Sequence, residues 1–288
     1  MYRRAPGSIS PQNDATLSRS QTLTRDINLL PWSPMRKILA IARFTFLDAV
    51  RSRLLLVAVV LMIVLSASSA LLNELAITDS VRIQVGVLAP ALRFSLAFLI
   101  AAFVISTLQR EFNEQGAALV LAQDLPRGHY VLGKTLGFTL LAWCIALLFS
   151  LPLFWLTAIA QYLAWTASLF MEAAIVSTFA VFCAISLRNM TSALVLTLGF
   201  YLLAKTIAVL QLMSHASLAA TSGVHRYMNG ALDIVALLLP RLDKFAQTGW
   251  LVDGFAGFSV VGALLPQTLI YIALIAVAAI IDMQRKNF

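Results

Sequence analysis

Six long apolar stretches restrict what this chain can fold into. They span residues 54–72, 87–108, 135–160, 166–187, 191–212 and 263–281. A helix needs about 20 apolar residues to cross the hydrocarbon core of a bilayer, and none of the stretches alternates with the period of two expected of an outer-membrane strand. Only 12% of the residues are charged, against about a quarter in soluble proteins. The sequence predicts an all-α polytopic membrane protein with six transmembrane helices, and it disfavours a soluble enzyme.

The distribution of Lys and Arg predicts the orientation of these helices. With six spans both termini share one side, which carries fifteen of the 21 Lys and Arg residues, whereas the other side carries four. Cytoplasmic loops hold the excess of basic residues, so both termini of this multi-pass chain are expected in the cytoplasm. The net charge of +8 is thereby explained by topology and the lipid bilayer, and no nucleic acid partner is expected.

The first 52 residues contain two different segments. Residues 1–33 are rich in Ser, Thr, Asn and Gln, and they predict a disordered cytoplasmic tail without the apolar core of a signal peptide. Residues 34–52 place Ile38, Ile41 and Ala49 at helical spacing, with basic residues on the other faces. This pattern predicts a cytoplasmic amphipathic surface helix; the alternative is the water-exposed end of the first span.

The external loop 213–262 is the longest connection between spans. Its apolar part, residues 231–240, is too short to cross a membrane and ends at Pro240. The loop therefore predicts short external helices before the last span.

No catalytic residue, cofactor or metal is expected on this chain. Residues 128–135, GHYVLGKT, match the phosphate-binding P-loop pattern, but that loop needs a preceding buried strand in a soluble α/β domain, and Thr135 instead opens a span. Cys144 and Cys183 lack ligand-type neighbours at metal-binding spacing and are expected to pack. His215 and His225 lie in a loop whose spacing gives a metal site little support.

The connection between the second and third spans, residues 109–134, carries a distinctive order of residues. An Arg-Glu pair is followed by a Gly, an apolar Leu-containing turn, Pro-Arg, an aromatic residue and Gly-Lys. The matching positions are Arg110, Glu111, Gly116, Leu119, Leu121, Pro126, Arg127, Tyr130, Gly133 and Lys134. This order resembles the cytoplasmic loop of type-2 ABC exporter permeases, with Ala117 in place of the usual Thr or Ser and Val120 within the Leu pair. At the level of architecture the resemblance extends over 34–288.

The resemblance implies a permease subunit that forms the translocation path and does not hydrolyse ATP. It also implies a second permease subunit, identical or different, and separate ATP-binding cassette ATPase subunits that hold ATP and Mg. A short apolar helix over 116–125 would suit docking into a groove on a soluble partner, and the alternative is a loop that only connects two helix ends. The expected ATPase-coupling residues are Arg110, Glu111, Glu114, Gly116, Leu119, Leu121, Pro126, Arg127 and Tyr130.

Three charged residues lie within the predicted spans, where an unpaired charge is costly. Arg93, Glu172 and Lys205 belong to the second, fourth and fifth spans at similar depths from the outer ends, so Glu172 can pair with either cation. They are candidates for a polar translocation path, and the alternative is a structural ion pair or snorkelling side chains. A different functional hypothesis is an ATP-independent carrier that uses Glu172 as a cation site, or a membrane scaffold for assembly.

Overall fold

The computed structural model describes residues 34–75, 80–113, 127–216, 230, 232–236, 239–245, 247–252 and 258–285. The predicted tail 1–33 and five of the expected coupling residues, Glu114, Gly116, Leu119, Leu121 and Pro126, lie outside this part. The described residues form helices and no strand. The helices are α1 (Pro34–Arg51), α2 (Leu54–Leu75), α3 (Ser80–Asn113), α4 (Arg127–Phe154), α5 (Ile159–Ser186), α6 (Met190–Ala216), the 3-10 helix Leu242–Lys244, α7 (Gly249–Val252) and α8 (Phe258–Arg285).

Six of these helices, α2 to α6 and α8, are long and apolar enough to cross a membrane. The mean hydropathy of their most apolar windows is between 2.0 and 2.7. For the part of the chain that the structure describes, the prediction of an all-α fold with six candidate spans is confirmed.

The helices extend beyond the apolar stretches from which they were predicted. α3 includes Arg82 and Gln84 before its apolar part and Arg110 to Asn113 after it. α4 begins at Arg127, so residues 127–134 of the predicted coupling loop are helical. The reason is that a helix ends where its backbone hydrogen bonds end, whereas hydropathy locates only the part suited to lipid.

The P-loop-like residues 128–135 form the first turns of α4 rather than a loop. A Cβ atom added at Gly133 would lie 2.7 Å from Cβ of Ile41. Glycine at this position therefore allows close helix packing, and the segment does not wrap around a phosphate.

The bundle is built around α5, which packs against α3, α4, α6 and α8. In α5 78% of the most apolar window is buried, whereas the share is 17% in α2 and 28% in α6 and α8. Trp165 of α5 packs in a core with Phe138 and Phe149 of α4, and all three side chains are fully buried. The apolar side chains exposed on α2, α6 and α8 form surfaces suited to lipid or to another subunit.

Candidate functional site

Three charged side chains from three different helices meet inside the bundle, and we call them the carboxylate cluster: Arg93 of α3, Glu172 of α5 and Lys205 of α6. Nη2 of Arg93 lies 3.2 Å from Oε2 of Glu172, and Nζ of Lys205 lies 2.9 Å from Oε1. The side chains are 10%, 3% and 17% exposed, in the order Arg93, Glu172, Lys205. The sequence left open which cation pairs with Glu172, and the structure shows that both do.

The two cations of the carboxylate cluster also hold the segment that precedes α8. Nη2 of Arg93 donates a hydrogen bond of 2.7 Å to the carbonyl oxygen of Phe245, and Nζ of Lys205 donates one of 2.7 Å to that of Leu242. The side chains of Leu242 and Phe245 are fully buried. Because one carbonyl belongs to the 3-10 helix and the other to the residue that follows it, the cluster fixes this 3-10 turn onto α3, α5 and α6 together.

The charges of the cluster do not cancel, since two cations share one carboxylate. Removing charged groups from water is expensive, and a buried pair is stable only when further hydrogen bonds satisfy it. The backbone carbonyls of the 3-10 turn supply such acceptors for the excess positive charge. The arrangement can therefore hold the segment before α8 against α3, α5 and α6, with Glu172 as its central group.

A second ion pair, which we call the loop clamp, joins Glu111 of α3 to Lys134 of α4. The Oε2 and Nζ atoms are 2.6 Å apart, and the side chains are 22% and 9% exposed. Nζ of Lys134 also lies 5.7 Å from the ring centre of Tyr130 and 6.0 Å from that of Phe138, distances at which a cation is attracted to an aromatic face. Glu111 follows Arg93 by eighteen residues, about 27 Å along a helix, so the clamp lies near the end of α3 whereas the carboxylate cluster lies near the middle of α3, α5 and α6.

Helix α1 packs directly on the beginning of α4, beside the loop clamp. A Cβ atom at Gly137 would lie 2.8 Å from the carbonyl oxygen of Ala42 and 2.8 Å from Cβ of Thr45. Ala42 and Thr45 are buried, as is Ala49 one turn further along α1. Small residues on both helices thus allow an approach that larger side chains would prevent.

Of the other expected coupling residues that the structure describes, only Tyr130 packs beside the loop clamp. Tyr130 is 1% exposed beside the clamp, Arg110 is exposed at the end of α3, and Arg127 is the first residue of α4. Among the described residues no group of three or more His, Cys, Asp or Glu is placed to hold a metal ion. Cys144 is exposed and Cys183 is buried, and both are free thiols.

Gln109 is a connecting residue that the sequence interpretation missed. Its buried amide nitrogen donates hydrogen bonds of 3.1 Å to the carbonyl oxygen of Ala184 and 2.6 Å to that of Leu187. The amide thereby ties the end of α3 to the end of α5. Its position four residues after the buried Ile105 is the signal that could have revealed it, since a polar residue on a buried helix face requires a partner.

No protein-family model matches this chain, and no curated protein sequence matches it. The geometry of the carboxylate cluster, the loop clamp and the α1–α4 contact is therefore the basis on which a function can be assigned.

Proposed function

We propose that the chain is the membrane-spanning permease subunit of an ABC exporter in the bacterial cytoplasmic membrane. In this proposal both termini are cytoplasmic, and separate ATP-binding cassette ATPase subunits hold ATP and Mg. The connection between α3 and α4 receives the movement of the ATPases, and the spans form the translocation path. A second permease subunit, either a copy of this chain or a related one, completes the path.

The observation that carries the proposal is the loop clamp between Glu111 and Lys134. These residues close the connection between α3 and α4 with a separation of 2.6 Å, and the lysine is almost fully buried. Because a force on the connection would act on both helices at once, the clamp suits a part that receives movement from outside. A loop that only connects two helix ends does not need a partly buried ion pair between the helices that flank it.

The contact between α1 and α4 supports the same proposal. Two glycines of α4 contact α1 directly: Gly133 lies against Ile41, and Gly137 lies against Ala42 and Thr45. A displacement of α4 would therefore move α1 with it. On α1, Leu39 and Val50 are exposed apolar side chains, and Arg43 and Arg51 are exposed basic ones. Helices with these two kinds of surface bind at the interface of anionic membranes, and we assign α1 to the cytoplasmic surface of the membrane.

The carboxylate cluster contributes to the proposal by holding the segment before α8 against the candidate spans. A carrier that used Glu172 as its cation site would need a carboxylate that a transported ion can reach. Both carboxylate oxygens are instead within 3.2 Å of a protein cation. This favours a structural role for Glu172 over a role as a transport site.

The test is to purify the tagged full chain from its native membrane in mild detergent, identify co-purifying proteins and measure ATP hydrolysis and ATP-driven transport in vesicles. We expect an ATPase with Walker motifs to co-purify. Glu111→Gln and Arg127→Gln should uncouple ATP hydrolysis from transport or release the ATPase, whereas the matched variant Arg285→Gln, at the end of α8, should do neither. Transport driven by an ion gradient in vesicles that lack the ATPase would overturn the proposal in favour of a carrier.

A further inference from the structure

An open cavity of about 530 Å³, whose lining residues are mostly polar, lies at the same end of the bundle as the loop clamp. It opens between the end of α3 and the turn that joins α5 to α6. The polar residues that line it include Arg110, Asn113, Arg188, Asn189, Thr191 and Ser192. Two cationic side chains thus line the cavity, and none of its described lining residues is acidic.

The donors around this cavity suit a phosphate group. The guanidinium groups of Arg110 and Arg188 present planar pairs of N–H donors that match phosphate oxygens. Asn189 supplies amide donors, and Thr191 and Ser192 supply hydroxyls. Thr191 and Ser192 also belong to the first turn of the 27-residue helix α6, where backbone N–H groups without intrahelical acceptors point outward. The two arginines provide the charge and the smaller groups complete the set of donors.

The walls of the cavity are fixed to each other by Gln109, whose side chain also lines it. Gln109 is 6% exposed, and its hydrogen bonds to the carbonyls of Ala184 and Leu187 join α3 to the residues immediately before Arg188. The backbone segments that carry the two arginines are therefore fixed to each other, so less backbone ordering is needed when a ligand binds.

We propose that this cavity binds the phosphate group of an anionic ligand. The cavity lies where the candidate spans α3 and α5 end and α6 begins, which in a bilayer would be the level of the lipid headgroups, and basic pockets between such helices bind anionic headgroups. The same donors would accept a soluble phosphate compound. This inference concerns residues of this chain alone and does not depend on an ATPase partner.

The test measures ligand binding to the purified full chain. One arm places the chain in nanodiscs or mixed micelles of phosphatidylcholine with or without phosphatidylglycerol and counts retained phosphatidylglycerol by native mass spectrometry. The other arm titrates inorganic phosphate and pyrophosphate and follows heat and thermal stability, because a ligand of the folded state raises the unfolding temperature. Arg188→Gln and Thr191→Glu are the test variants, and Arg285→Gln, at the same end but outside the cavity, is the matched control.

We expect phosphatidylglycerol binding to fall about tenfold or more in Arg188→Gln and Thr191→Glu, since each disturbs charge-assisted hydrogen bonds, and to be unchanged in Arg285→Gln. An acid in the first turn of α6 is favourable to the helix itself, so in Thr191→Glu a loss of binding reports repulsion of the ligand rather than unfolding. Size-exclusion profiles and unliganded melting temperatures verify the fold of each variant.

Two results support the proposal and identify the source of the phosphate. Arg188-dependent retention of phosphatidylglycerol indicates a lipid headgroup, and Arg188-dependent binding of phosphate or pyrophosphate without a preference for phosphatidylglycerol indicates a soluble ligand. Equal binding in the wild type, the two test variants and the control, or no binding of any probe, would overturn it.

Discussion

Lys134 and Glu111 form an ion pair of 2.6 Å although they are 23 residues apart in the sequence. Lys134 lies in the second turn of α4 and Glu111 near the end of α3. The pair joins the two helices on either side of residues 114–126, and it places the expected coupling residue Glu111 against a lysine that is 9% exposed.

Replacing one partner of this pair should destabilise the chain. We expect Glu111→Gln to lower the free energy of unfolding by about 2 kcal/mol, less than for a fully buried pair because Glu111 retains some exposure to water. Lys134→Met should cost less, since it leaves no buried cation without a counter-charge. The double variant gives the coupling energy of the pair.

The measurement is unfolding of the purified chain in mixed micelles by heat or denaturant. Arg285→Gln, an exposed basic residue at the end of α8, is the control and should change little. If Glu111→Gln and Arg285→Gln were equally stable, the clamp would have no part in holding α3 to α4.

Loss of Glu172 should have a larger effect than loss of Glu111. Glu172→Gln leaves the buried Arg93 and Lys205 near each other without their shared carboxylate, and breaking such a pair costs about 3–5 kcal/mol. The double variant Glu172→Gln, Lys205→Met should recover part of this loss, because one of the two unbalanced cations is removed. Thermal unfolding of the single and double variants measures the difference, and a double variant no more stable than Glu172→Gln would contradict the shared-carboxylate arrangement.

Lys205→Met alone should loosen the 3-10 turn before α8. The variant removes the donor to the carbonyl oxygen of Leu242, while Arg93 still holds that of Phe245. We expect faster thiol labelling of a cysteine placed at the buried Leu242, measured in a chain whose Cys144 and Cys183 are replaced by Ala. Thr206→Val is the control, because the exposed Thr206 bonds only within α6. Equal labelling rates in the two variants would show that Lys205 does not hold the turn.

The topology can be tested by the same labelling chemistry. The excess of Lys and Arg on one side predicts that a cysteine at Lys244 reacts with a membrane-impermeant maleimide added to intact spheroplasts. A cysteine at Arg285 should react only after the membrane is opened. Both positions are exposed, so their accessibility reports the side of the membrane, and the reverse pattern would invert the proposed orientation.

The sequence predicted the features that depend on the length of apolar stretches and on the position of charged residues along them. Six apolar stretches gave the six candidate spans, and the similar depths of Arg93, Glu172 and Lys205 indicated that they could meet. The carbonyl oxygens of Leu242 and Phe245 could not be predicted as their partners, because every residue carries a carbonyl and the side chains give no sign of its use.

The limits of the helices and their closest contacts were also beyond the sequence pattern. Residues 127–134 look like a loop because they are polar and follow Pro126, yet they form the beginning of α4. In the sequence alone, Gly133 fits a phosphate-binding pattern and Gly137 fits a lipid-facing helix. Only the position of α1 shows that these glycines serve helix packing, because that position results from the whole bundle.

The close contact between α1 and α4 can be tested by replacing Gly137 with alanine and comparing the effect on stability with that of the same replacement at Gly199, outside the contact. Gly137→Ala would place a Cβ atom 2.8 Å from the backbone oxygen of Ala42, so the helices must separate, and we expect a loss of about 1–3 kcal/mol in the free energy of unfolding. Gly199→Ala in α6 meets nothing within 4 Å, and it should be neutral or stabilise by up to about 1 kcal/mol because alanine favours the helix. Unfolding of the two variants under identical conditions checks this, and a Gly137→Ala variant as stable as Gly199→Ala would mean that α1 is not packed closely on α4.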